Sequence, residues 1–102
     1  MIARHWRGWT LPRDAEAYER LLKETVLPAL KTIEGYRGGY ILRKDGTQDV
    51  EFAVVNLFDS LEAVKRFAGK NYSVAVFEPE ARRLLCRVEP EATHYEVRAN
   101  TV

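Results

Sequence analysis

Residues 51–69 read EFAVVNLFDSLEAVKRFAG, and they decide the fold because one run passes from strand periodicity into helix periodicity at a legible boundary. Apolar residues first occupy both parities, with Phe52, Val54 and Phe58 on one side and Ala53, Val55 and Leu57 on the other. That is the pattern of a strand covered on both faces. Asp59 and Ser60 then offer capping side chains, and Glu62 puts an acid in the first turn. Leu61, Val64 and Phe67 follow at helical spacing, and Gly69 stops the segment.

Upstream, YRGGYILRKDGTQDV supplies another strand, joined to the first by a turn around Asp45 and Gly46, a hairpin signal. Before it, PRDAEAYERLLKETVLPALKTIEG repeats apolar residues at threes and fours (Tyr18, Leu21, Leu22, Val26, Ala29, Leu30) and closes at Gly35. This predicts a long amphipathic helix, with a kink or break at Pro28, which lacks a backbone donor. IARHWRGW, residues 2–9, is a short aromatic strand that ends at TLP and puts Trp6 and Trp9 on opposite faces. Downstream, NYSVAVF is ambiguous. EPEARRLLCRV opens at Pro79 as a short helix, and ATHYEV closes the chain as a strand.

The order strand, helix, strand, strand, helix, strand, with an extra helix before the last strand, predicts an α+β domain spanning residues 1–102. Its form is ferredoxin-like βαββαβ: a four-stranded antiparallel sheet in the spatial order 4-1-3-2, with helices on one face.

The 102 residues give room for one core, and 46% hydrophobic with 30% charged residues is ordinary for a globular chain. Sixteen basic and 15 acidic residues are interspersed, for a formal charge of +1. This is not the electrostatic footprint of a nucleic-acid or anionic-membrane binder. One cysteine, Cys86, makes neither an internal disulfide nor a multi-cysteine zinc site and reads as a small buried residue. With no apolar signal segment, the expected location is cytoplasmic.

Two histidines are present, His5 on the first strand and His94 on the last, and neither has metal-ligand spacing to another ligand. If those strands are antiparallel neighbours, the imidazoles lie within a few residues of each other. Only the register decides whether they share a face, so packed and functional roles both stay open.

IARHWRGWT, EGYRGGYIL, EFAVVNLFDSLEAVKRFAG and HYEV, in this order, together resemble the antibiotic biosynthesis monooxygenase family of dimeric α+β barrels. The resemblance implies a homodimer and a pocket between sheet and helices, with a small aromatic molecule as the partner to be bound. The family includes oxygenases that oxidise phenols or quinols without metal or flavin, and heme-degrading enzymes. Against the heme-degrading pattern of asparagine, tryptophan and histidine, this chain has His5, Phe67 and Phe77, so no proximal iron ligand is apparent. The cofactor-independent pattern of an aromatic residue, a tyrosine and an arginine meets Phe67, Tyr72 and Arg87.

Such chemistry needs a base to take the phenolic proton and a group to stabilise the anion. His5 on the helix-facing side of its strand, with His94, is the expected base. Arg87 or Arg7 is the expected anion stabiliser, and Tyr72 the orienting hydroxyl. Phe67, Phe77 and Trp9 are expected to stack on the ring. The reading is a monooxygenase with no cofactor and no metal. The alternative is a non-catalytic dimeric domain that binds a small hydrophobic ligand or acts as an accessory subunit, since fold alone does not fix function.

Overall fold

The computed structural model describes residues 1–101. Strand β1 (Ile2–Thr10) runs through the middle of the sheet, antiparallel to β3 (Val50–Phe58), which pairs in turn with β2 (Tyr36–Asp45). On its other edge β1 pairs with two short strands rather than one. β4 (Leu85–Val88) lies along Gly8, Trp9 and Thr10, and β5 (Thr93–Glu96) lies along residues 2–5. The predicted order therefore holds, with its fourth position divided between two strands, giving five in all.

The second half of EPEARRLLCRV corrects the reading that made the whole stretch helical. Helix α4 (Pro79–Leu84) ends where Leu85 turns extended, and residues 85–88 join the sheet. Their local preference does not forbid a helix, but β1 would otherwise present unpaired backbone groups along this edge, and pairing outweighs propensity. In the same strand Cys86 is exposed rather than buried.

The first long helix is continuous but not uniform. α1 (Ala15–Leu21) passes into a π-helical turn over Leu22–Val26 and on into α2 (Leu27–Leu30). The Leu27 N–H reaches the Leu22 carbonyl five residues back, so the chain widens just ahead of Pro28 instead of breaking there. Helix α3 (Leu61–Ala68) starts as the sequence predicts, with the Ser60 hydroxyl accepting from the Ala63 N–H at 3.3 Å.

The helices cover one sheet face. Phe52, Val54, Tyr18, Leu22 and Ala81 form one buried cluster, while Phe58, Leu30, Ala63 and Val64 form a second. Full burial of Phe52 and Phe58 contributes about 1.5–3 kcal/mol each. The opposite face carries Tyr40 and Leu42 opposite Val55 and Ala53, and Tyr95 opposite Ala3. Tyr40, Leu42 and Tyr95 are each half exposed or more. No helix among the described residues is long and apolar enough to cross a membrane.

Candidate functional site

Side chains alternate along β1, and the two rows meet different surroundings. Arg4, Trp6, Gly8 and Thr10 point toward the helices, since Arg4 and Trp6 line a cavity with Tyr18, Leu22 and Val26. His5, Arg7 and Trp9 point the other way, in register with Val55, Ala53 and Glu51.

The cavity lies where the two core clusters fail to meet. Tyr18, Leu22, Val54 and Ala81 of the first cluster form one wall. Phe67, packed on the second cluster, forms another, and Trp6, Phe77, Val76 and Glu78 complete it. The space open to a water's centre is about 60 Å³. At about 10–15 Å³ per water that is room for about four to six waters, the bulk of a single ring with a short substituent.

Two glycines shape the walls. A Cβ on Gly8 would stand 2.5 Å from the Trp6 ring, so only glycine lets the indole lie back along the strand, where its Nε1–H donates to the Glu89 carbonyl at 2.6 Å. A Cβ on Gly39 would meet the Asn56 Oδ1 at 2.5 Å. That oxygen accepts from the Tyr36 hydroxyl at 2.9 Å, which leaves the Asn56 NH2 as the group available on the cavity wall.

Arg4 sets the electrostatics. It is 4% exposed and lies 5.5 Å from the centre of the Phe67 ring. Nη1 donates to the Tyr72 carbonyl and, at 3.1 Å, to His94 Nε2, while Nη2 donates to the Val74 carbonyl at 3.2 Å. Among the described residues it has no carboxylate partner. Burial pulls its pKa down to about 10. His94 is held below the ordinary imidazole range, first by burial and then by the Arg4 charge. As the acceptor from Arg4, Nε2 is unprotonated and the ring proton sits on Nδ1. The ring edge of Tyr72 packs against His94 at 5.2 Å.

Of the residues the sequence singled out, Phe67 and Phe77 line the cavity. His94 and Tyr72 stand behind Arg4, and Tyr72 offers Arg4 its carbonyl. The other four gather on the opposite face, which corrects the helix-facing placement of His5. His5 pairs with Thr93 while His94 pairs with Arg4, so a one-residue offset puts the imidazoles on opposite sides of the sheet. There the Trp9 ring has the Arg87 guanidinium at 4.1 Å and the Arg7 guanidinium at 5.4 Å from its centre. Arg7 is paired with Glu89 at 3.1 Å, and Arg87 with Asp49 at 3.4 Å. The sequence reading missed Arg4, Trp6, Asn56 and Glu78. Asn56 had a signal, as the single polar residue inside AVVNLF.

Comparison with solved structures matches this architecture over nearly its whole length. A putative antibiotic biosynthesis monooxygenase from Deinococcus radiodurans superposes with a TM-score of 0.73 at 16% identity, over 100% of this chain and 97% of that one. This chain shares its fold. A protein of unknown function from Nitrosomonas europaea matches with a TM-score of 0.74 at 21% identity, over 99% and 92% of the two chains. A heme-degrader from Mycobacterium tuberculosis, solved with two hemes in its active site, matches with a TM-score of 0.63 at 18% identity, over 100% of both chains. No family model and no curated protein matches the sequence.

The cavity does not fit a porphyrin. Its volume of about 60 Å³ is small for a macrocycle, when even drug-sized ligands occupy pockets of about 300 Å³ or more. The imidazole beside it, His94, already gives Nε2 to Arg4, and Phe67 and Phe77 fill the walls.

Proposed function

We propose that this chain is a small-molecule monooxygenase of the antibiotic biosynthesis type, acting without metal or organic cofactor on a single-ring phenol or quinol. The observation that supports this reading is the aromatic-walled cavity between sheet and helices, with a buried, carboxylate-free arginine on its wall. An apolar pocket with a few convergent polar groups is the form a small-molecule site takes.

Arg4 stabilises the phenolate and so lowers the pKa of a bound phenol. Glu78, the carboxylate on the cavity wall, is exposed and can pass the proton to solvent. The electron-rich ring then reduces dioxygen. For a quinol, one oxygen atom enters the ring, the other leaves as water, and the product is the hydroxyquinone. All four electrons come from the substrate, so no external reductant is needed.

The open sheet face, with Tyr40, Leu42, Val55 and Tyr95, is the surface on which a second copy would pack, giving the homodimer that the barrel architecture calls for. His5, Arg7, Trp9 and Arg87 belong to that interface in this reading rather than to the substrate cavity.

The test is dioxygen uptake by protein stripped of metal and flavin, with hydroquinone and methylhydroquinone as substrates. Uptake above the spontaneous rate, with a product one oxygen heavier and two hydrogens lighter, is expected. Binding without consumption would favour a ligand-binding domain instead. One feature supports that second reading: His94 is engaged by Arg4 and His5 lies on the far face, so neither imidazole reaches the cavity as a base.

A further inference from the structure

We infer that the cavity takes an anion, a single aromatic ring bearing one oxyanion, and that Arg4 is the residue that selects it. This deepens the reading above and relies on it only for the location of the site.

The other arginines separate into two groups. Arg7, Arg37, Arg43, Arg83, Arg87 and Arg98 each pair with a carboxylate. Arg13, Arg20, Arg66 and Arg82 are exposed, where water solvates the charge. Arg4 alone is buried, and among the described residues it is partnered only by neutral groups, two carbonyls and an imidazole. A buried charge with no counter-charge is costly and is seldom retained without a use.

The three acceptors also fix how much of the guanidinium is free. It carries five N–H groups, of which Nη1 spends two and Nη2 one. The Nε–H and the second Nη2–H remain, on a side chain that lines the cavity. Two donors in fixed geometry suit two acceptor oxygens, and the apolar walls around them strengthen attraction to an anion.

A neutral ligand would satisfy those donors but leave the charge uncompensated. The one acidic group on the wall, Glu78, is exposed, so solvent screens its repulsion more than it screens the attraction of Arg4. Cavity size limits the ring system to one ring.

Isothermal titration near neutral pH compares benzoate and 4-nitrophenolate with the neutral isosteres benzamide and benzyl alcohol. At least one of the two anions should bind about tenfold or more tightly than the neutral probes, and which one it is identifies the oxyanion as carboxylate or phenolate. Arg4→Met should erase the preference while benzyl alcohol binding persists. If Arg4→Met does not fold, the Arg4 Nε–H resonance of the wild-type protein serves instead, and it should shift with the anion and not with benzamide. Equal affinities, failure of both anions to bind, or a preference that survives in Arg4→Met would overturn the inference. Oxidation of neutral hydroquinone without any anion preference would remove the ligand class and leave the proposed function standing. Arg4-dependent anion binding, with no oxygen uptake on any phenol, would do the reverse.

Discussion

Arg4 and Arg7 sit three residues apart on one strand and have opposite fates. Arg4 points under the helices, is 4% exposed, and has neutral partners only. Arg7 points to the open face, where Glu89 accepts from its Nη2 and its backbone N–H, and Glu51 lies 4.0 Å away. The Glu89 pair raises the Arg7 pKa, while burial lowers that of Arg4. The same residue type is thus a surface ion pair on one side of a strand and an uncompensated charge on the other. Neighbouring carboxylates hold the first, while two carbonyls, an imidazole and the Phe67 ring hold the second.

Five substitutions probe that contrast, taken from the largest expected effect downward. Phe52→Ala, on the helix-facing row and fully buried, should cost about 3–5 kcal/mol in urea unfolding. Val55→Ala, its neighbour on the half-buried open row, should cost clearly less, and equal losses would deny that the two faces differ. Arg4→Met should cut benzoate affinity by about tenfold or more, equivalent to about 1.4 kcal/mol. Losing the buried charge favours folding, but the Tyr72 and Val74 carbonyls and His94 Nε2 lose their donor, so stability should fall by about 1–3 kcal/mol.

His94→Gln tests the support behind Arg4. The folded pKa of His94 lies below its ordinary 6.5, so the unfolded chain takes up a proton that the folded chain refuses. Wild-type stability should therefore be at its full value above about 6.5 and decline as pH falls below it, and His94→Gln should flatten that decline in melting temperatures. An unchanged pH profile would show that burial and Arg4 together do not hold His94 below its ordinary range. Smallest of all, Arg7→Met should leave stability nearly unchanged, as expected for a solvent-screened pair, and leave benzoate affinity as it was.

Strand and helix periodicity made the order of elements legible. Ser60 and Gly69 bounded α3, while the both-face apolarity of β3 meets helices on one face only. Residues 85–88 were not legible, because a stretch that can be helical becomes a strand only when the edge of β1 is there to receive it. The site was less legible than the fold for a related reason. Which of His5 and Arg4 faces the helices depends on a single-residue register between strands nearly ninety positions apart, and nothing local in ARHWRGW records it. Phe67 and Phe77, which the family resemblance had singled out, both line the cavity. Arg4 was passed over because an arginine in a short strand reads by default as surface.

The placement of the two tryptophans gives the molecule a pair of optical reporters. Trp6 forms part of the cavity wall, while Trp9 lies beside two guanidinium groups on the other side of the sheet. Emission from a Trp9→Phe protein therefore follows occupancy of the cavity, and emission from a Trp6→Phe protein follows what approaches the open face. Events in the cavity and events on the open face can thus be watched separately in two matched samples, without attaching any label.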